Sequence, residues 1–133
     1  MKLLNELLSQ GLISEESGKE IERELKKSGR TEEEVILEKK LVAENSLFEL
    51  KGRILSFPFR DIKPDQIPSD ILELVPEEAS VNYKMAPFAK FENFVEIGMV
   101  YPEDIAAQNA LRFLANQEKF RYRVYLITPG SLE

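Results

Sequence analysis

The chain has 133 residues and a formal net charge of −6, with 43% hydrophobic and 32% charged residues and neither cysteine nor histidine. That composition is globular, and the length suits one domain or two very small ones packed together. It excludes a disulfide framework and thiol chemistry, and it removes the commonest general base and the commonest metal ligand together.

Acidic residues outnumber basic ones in each half, so there is no electrostatic footprint for nucleic acid or anionic lipid. The apolar runs fall far short of the ~20 residues that a membrane span needs. The start, Met1-Lys2-Leu3-Leu4-Asn5-Glu6, lacks the sustained apolar core and cleavage site of a signal peptide. The expectation is a cytoplasmic domain with no nucleic-acid partner and no direct membrane insertion.

Leu3, Leu4, Leu7 and Leu8 mark a helical apolar stripe that Gly11 closes. Ser14 can cap a second helix, with Glu15 and Glu16 in its first turn, Ile21 and Leu25 as its buried pair, and Lys26-Lys27-Ser28-Gly29 at its end. Thr31-x-x-Glu34 reads as a capping box opening a third helix. A fourth, from about Glu44, carries Leu47, Phe48, Leu50, Ile54 and Leu55, and tolerates Gly52 at a cost of about 1 kcal/mol relative to alanine.

The two helical pairs resemble each other. Leu7-Leu8-x-x-Gly11-Leu12-Ile13 is followed 29 residues later by Ile36-Leu37-x-x-Lys40-Leu41-Val42, a weak internal repeat. The stretch Leu55-Ser56-Phe57-Pro58-Phe59-Arg60-Asp61-Ile62 then breaks the pattern, because a helix cannot run through Pro58. A helix ending near Leu55 and a short strand centred on Phe59 are expected.

Beyond it, Pro68-Ser69-Asp70 and Pro76-Glu77-Glu78 each start a short helix. Strands are predicted near Met85–Phe91 and Phe94–Val100, joined by a tight turn in which Asn93 accepts the positive φ. A helix from Glu103 to about Gln117 presents Ala106, Ala107, Ala110, Leu111 and Leu114. The last strand, Phe120–Ile127, puts Phe120, Tyr122, Val124 and Leu126 on one side and Arg121, Arg123 and Tyr125 on the other. The final residues, Thr128 to Glu133, read as a helix start cut short, so a longer parent protein is expected.

The fold class is therefore α+β. Residues 1–55 form a helical module of about four short helices, packed on a small α/β domain at 56–133. The sheet of that domain has about four strands, near Phe59, Phe88, Ile97 and Val124.

No Gly-x-x-x-x-Gly-Lys-Ser/Thr sequence occurs, so nothing here cradles a triphosphate. The acidic runs Glu15-Glu16, Glu32-Glu33-Glu34 and Glu77-Glu78 sit at helix starts, where they stabilise the dipole. Phe57, Phe59, Phe88, Phe91 and Phe94 are expected to pack as core. For the row Arg121, Arg123 and Tyr125 three readings stand: a solvated edge strand, a contact with a protein partner, or a nucleotide site.

In order, these pieces resemble the N-terminal domain of the type II secretion and type IV pilus assembly ATPases, the GspE- and PilB-like proteins. The likeness is carried by Leu55–Ile62, Val75-Pro76-Glu77-Glu78-Ala79 with Tyr83, Met85-Ala86-Pro87-Phe88, Met99-Val100-Tyr101-Pro102-Glu103-Asp104 and Leu111-Arg112-Phe113. The first half looks like the helical module that precedes this domain and that in some members binds cyclic di-GMP through two copies of a motif beginning Arg-Leu-Gly. Here the corresponding positions are Lys2-Leu3-Leu4 and Thr31-Glu32-Glu33, and the later glycine is Gly11 in one copy and Lys40 in the other. Carboxylates there would repel a diphosphate ligand, so the motif is degenerate.

The resemblance implies a non-catalytic docking and regulatory domain with no cofactor. Its partners would be the cytoplasmic domain of an inner-membrane platform protein and the ATPase domain of its own parent chain, and Arg121, Arg123 and Tyr125 are the first candidates for the partner contact. The alternatives are a cyclic di-GMP sensor and, weakest, a free-standing enzyme acting through carboxylates.

Overall fold

The computed structural model describes residues 2–132 and divides into two compact units, 1–54 and 55–133. The first unit holds α1 (Lys2–Ser9), α2 (Glu15–Ser28), α3 (Glu32–Glu38) and α4 (Glu44–Leu55), whose last residue opens the second unit. The local signals act as the sequence implies. The Ser14 hydroxyl accepts the Ser17 N–H at the start of α2, and Gly29 ends that helix in the left-handed conformation. Thr31 and Glu34 form a complete capping box, which satisfies two of the orphan amides at the start of α3.

Leu3, Leu4, Leu7, Ile21, Val35, Ile36, Leu47 and Phe48 are all buried, whereas Leu25 is half-exposed. The repeat is visible in the backbone. Gly11 and Lys40, equivalent across the 29-residue offset, both adopt left-handed conformations, with φ of +70° and +56°. Each turns the chain from a short helix towards the longer one, α2 or α4. Glycine does this without steric cost and lysine does not.

The second unit contains α5 (Ser69–Leu72), α6 (Glu77–Tyr83), β1 (Met85–Phe91), β2 (Phe94–Met99), α7 (Ile105–Glu118) and β3 (Arg121–Leu126). Its sheet runs in the order β1-β2-β3. β1 and β2 form an antiparallel hairpin with a bulge between Pro87 and Ala89, and β3 returns parallel to β2 through α7. In the hairpin turn the positive φ belongs to Glu92, at +57°, and not to Asn93 as expected.

The α+β class holds, with one difference in the sheet. The segment at Phe59 joins it by a single parallel bridge to Leu126, not as a full fourth strand. The cause lies in the chain. Leu126 uses both backbone groups on this side, accepting from the Arg60 N–H and donating to the Pro58 carbonyl. The next rung would need an N–H from residue 58, and proline has none.

One sheet face and the helices make the core: Val75, Met85, Val95, Ile97, Met99, Ala107 and Leu111, with Tyr83, Leu114, Phe120, Tyr122 and Val124 around them. In α7 it is Ala107, Leu111 and Ala115 that are buried, while Ala106 is exposed. The five phenylalanines are not core: Phe57, Phe59, Phe88 and Phe94 are half-buried and Phe91 is 65% exposed. On the opposite sheet face Gly98 is constrained by space, whereas Gly11 is constrained by its φ. A Cβ there would sit 2.5 Å from Ile127 Cγ2, and Ile127 is itself fully buried.

Candidate functional site

In the helical unit several of the motif positions are engaged within the chain, while Lys2, Gly11 and Lys40 are exposed. Leu3 and Leu4 are buried. The Leu4 N–H at the start of α1 donates to Glu32 Oε2 at 2.8 Å, so a carboxylate from α3 already occupies the donor end of that helix. Glu33 is buried and lies 3.4 Å from Lys51 Nζ of α4; Lys51 is also buried and rests over the Phe48 ring at 5.3 Å. Thr31 is committed to capping α3. A hollow of about 320 Å³ remains beside the repeat, lined among others by Leu12, Leu41, Gln10 and Arg53. Leu12 and Leu41 are again repeat equivalents, and both are exposed.

In the sheet unit the face away from the helices gathers Arg60, Phe88, Glu96, Arg123 and Tyr125. β2 and β3 pair in register Glu96↔Arg123, which brings Tyr125 within reach of Glu96, and the Tyr125 hydroxyl donates to Glu96 Oε2 at 2.6 Å. Phe88, thrown out of the ladder by the bulge, meets the Tyr125 ring edge-on at 5.4 Å and 72°. Two guanidiniums lie over the same ring: Arg60 at 4.9 Å and Arg123 at 5.5 Å. Among the described residues neither has a carboxylate within ion-pair distance.

The row Arg121, Arg123 and Tyr125 is thus only partly the exposed row expected. Arg121 and Arg123 are exposed, but Tyr125 is 5% exposed and serves as a platform beneath the arginines. Its burial follows from the bulged Phe88 on one side and the Arg60 segment on the other. Sequence reasoning gave Arg60 no role. The signal was the strand reading of Pro58-Phe59-Arg60, which, paired with the end of the last strand, sets Arg60 beside Tyr125. A ring orienting two cations that form no ion pair among the described residues is suited to recognising a planar anion, since arginine binds carboxylate and phosphate through a rigid fork.

Residues 55–133 match the MshEN domain family. The chain belongs to that family. No curated protein matches it in sequence. Among solved structures this MshEN domain is similar to MshE, solved with cdg, at 22% identity and a TM-score of 0.74, over 98% of this chain and 92% of that one. It is also similar to the N-terminal domain of XpsE, at 14% identity and a TM-score of 0.70, over 98% and 88% of the two chains. At these identities the likeness is one of fold, and it spans the helical unit as well as the matched residues. The resemblance to the N-terminal domain of secretion and pilus assembly ATPases is thereby borne out.

Proposed function

We propose that this chain is a non-catalytic docking and regulatory domain of a cytoplasmic secretion or type IV pilus assembly ATPase, coupling the motor to an inner-membrane platform protein. The observation that carries the reading is the pair of guanidiniums, Arg60 and Arg123, held on the Tyr125 ring without a carboxylate partner. Arginine and tyrosine supply a large share of interface hot spots, and a pre-oriented arginine loses little entropy on binding. Arg121, exposed on the same face, extends the cationic row.

The test is titration of the chain with cytoplasmic domains of platform proteins. Arg121→Glu combined with Arg123→Glu should weaken binding by at least about 2 kcal/mol, as for truncated hot spots, while circular dichroism shows an unchanged fold. Undiminished affinity in that double variant would move the contact to the helices. The chain should release no phosphate from ATP.

Cyclic di-GMP sensing is the second reading, supported by the retained repeat and by the hollow that Arg53 lines. Glu32 on the Leu4 amide and the Glu33–Lys51 pair weigh against it. Calorimetry should give a dissociation constant in the high micromolar range or weaker, and sub-micromolar binding would restore the sensor reading.

A further inference from the structure

The two edges of the sheet differ. On β1, Val100 N–H donates to the Lys84 carbonyl, so Met85 and Pro87, which alternate with Lys84, turn their backbone groups outward. Over residues 85–88 that edge is interrupted three times. The Met85 carbonyl accepts the Ser80 hydroxyl at 2.6 Å, Pro87 has no N–H to offer, and the bulge at Phe88 breaks the line.

On β3, Arg121 N–H donates to the Asn93 carbonyl and Ile127 N–H to the Met99 carbonyl, so the odd-numbered residues face β2. The even-numbered ones face outward. Leu126 is satisfied by the Pro58–Arg60 segment, and Pro58 ends that ladder. Tyr122 and Val124 are left with outward N–H and C=O groups and no partner among the described residues. Proteins normally blunt such edges, as this one does on β1. The open stretch is flanked by the exposed Arg60, Arg121 and Arg123.

We propose that the open edge of β3 at Tyr122–Val124 accepts an acidic, extended segment of a partner protein as an added strand, with Arg60, Arg121 and Arg123 reading its carboxylates. This rests on the docking reading and specifies its mode. Main-chain bonds supply affinity and alternate side chains supply selection. An acidic occupant follows from charge complementarity: the edge is cationic on a chain whose net charge is −6. Glu96, paired with Arg123 in the sheet, accepts the Tyr125 hydroxyl with its carboxylate and forms no ion pair with either stacked arginine, so one carboxylate stands against three exposed guanidiniums at this edge.

The test uses the full chain and a synthetic peptide alternating Glu and Val, followed by amide NMR. Binding should shift Tyr122 and Val124 and slow their amide exchange. Methylating one alternate set of the peptide's backbone nitrogens should weaken binding at least tenfold, whereas methylating the other set should not. Arg60→Glu with Arg123→Glu should weaken it comparably, and a Lys–Val peptide should not bind.

Equal affinity for both methylated peptides would mean that charge is recognised without strand addition, and would overturn the proposal. So would the absence of shifts at Tyr122 and Val124 at millimolar peptide. If a platform-protein domain fails to bind while the acidic peptide does, the docking reading falls and the strand-accepting edge stands. If the platform domain binds undisturbed by excess peptide, the reverse holds.

Discussion

In the helical unit the carboxylates of the second repeat copy are bound within the chain: Glu32 to the Leu4 amide, Glu33 to Lys51, Glu34 to Thr31. In the sheet unit Arg60 and Arg123 rest on an aromatic ring, and among the described residues neither forms an ion pair. One region spends its charges on holding helices together, and the other displays them. The difference bears on the docking surface proposed above. The acidic motif positions of the repeat are engaged within the chain, whereas the two guanidiniums have no ion-pair partner among the described residues.

The contrast can be tested from its most costly element downward. Lys51→Ala strands a buried Glu33 carboxylate and should destabilise the helical unit by about 3–5 kcal/mol. Lys51→Met combined with Glu33→Leu should recover most of that in chemical denaturation, because apolar replacement of a buried pair is often neutral. Failure of the recovery would mean that the pair does more than fill space. In the sheet unit, Gly98→Ala should cost about 1–3 kcal/mol, since the fully buried Ile127 cannot yield to the added carbon; a thermal scan reads it directly.

Smaller effects sharpen the repeat. Thr31→Ala removes the α3 cap and should cost about 1 kcal/mol by urea unfolding. Lys40→Gly should act in the opposite sense, stabilising by up to about 1 kcal/mol, because it gives the second copy the residue that the first has at the same left-handed position. A loss of stability there would show that the two turns are not equivalent in energy.

Local chemistry made the helices legible in the sequence. Ser14, Gly29, Thr31 with Glu34, and Pro76 each mark a helix end through their own backbone or side chain, and no distant contact is needed to read them. The hairpin strands, α7 and the last strand follow from periodicity, whereas the parallel pairing of β3 with β2 is not among the expectations. What periodicity could not show depends on pairing across long separations. The Phe59 segment meets Leu126 far along the chain, and only that meeting sets Arg60 over Tyr125. The bulge that tips Phe88 against the same ring has no local signature beyond Pro87. Alternation therefore put Tyr125 on the correct face but gave it the wrong exposure, because cover came from residues outside its strand.

The closed edge of β1 has a consequence for valence. A sheet open at both sides can be joined by copies of itself in a row, and each addition offers the next one a fresh template. With Met85 capped by Ser80 and Pro87 silent, this sheet can be lengthened on one side only. A second molecule arriving at β1 finds no row of donors to read, so growth by head-to-tail stacking stops before it starts. Copies of this chain therefore cannot stack β3 against β1 in an open row, and whatever strand β3 takes up has to come from some other surface than β1.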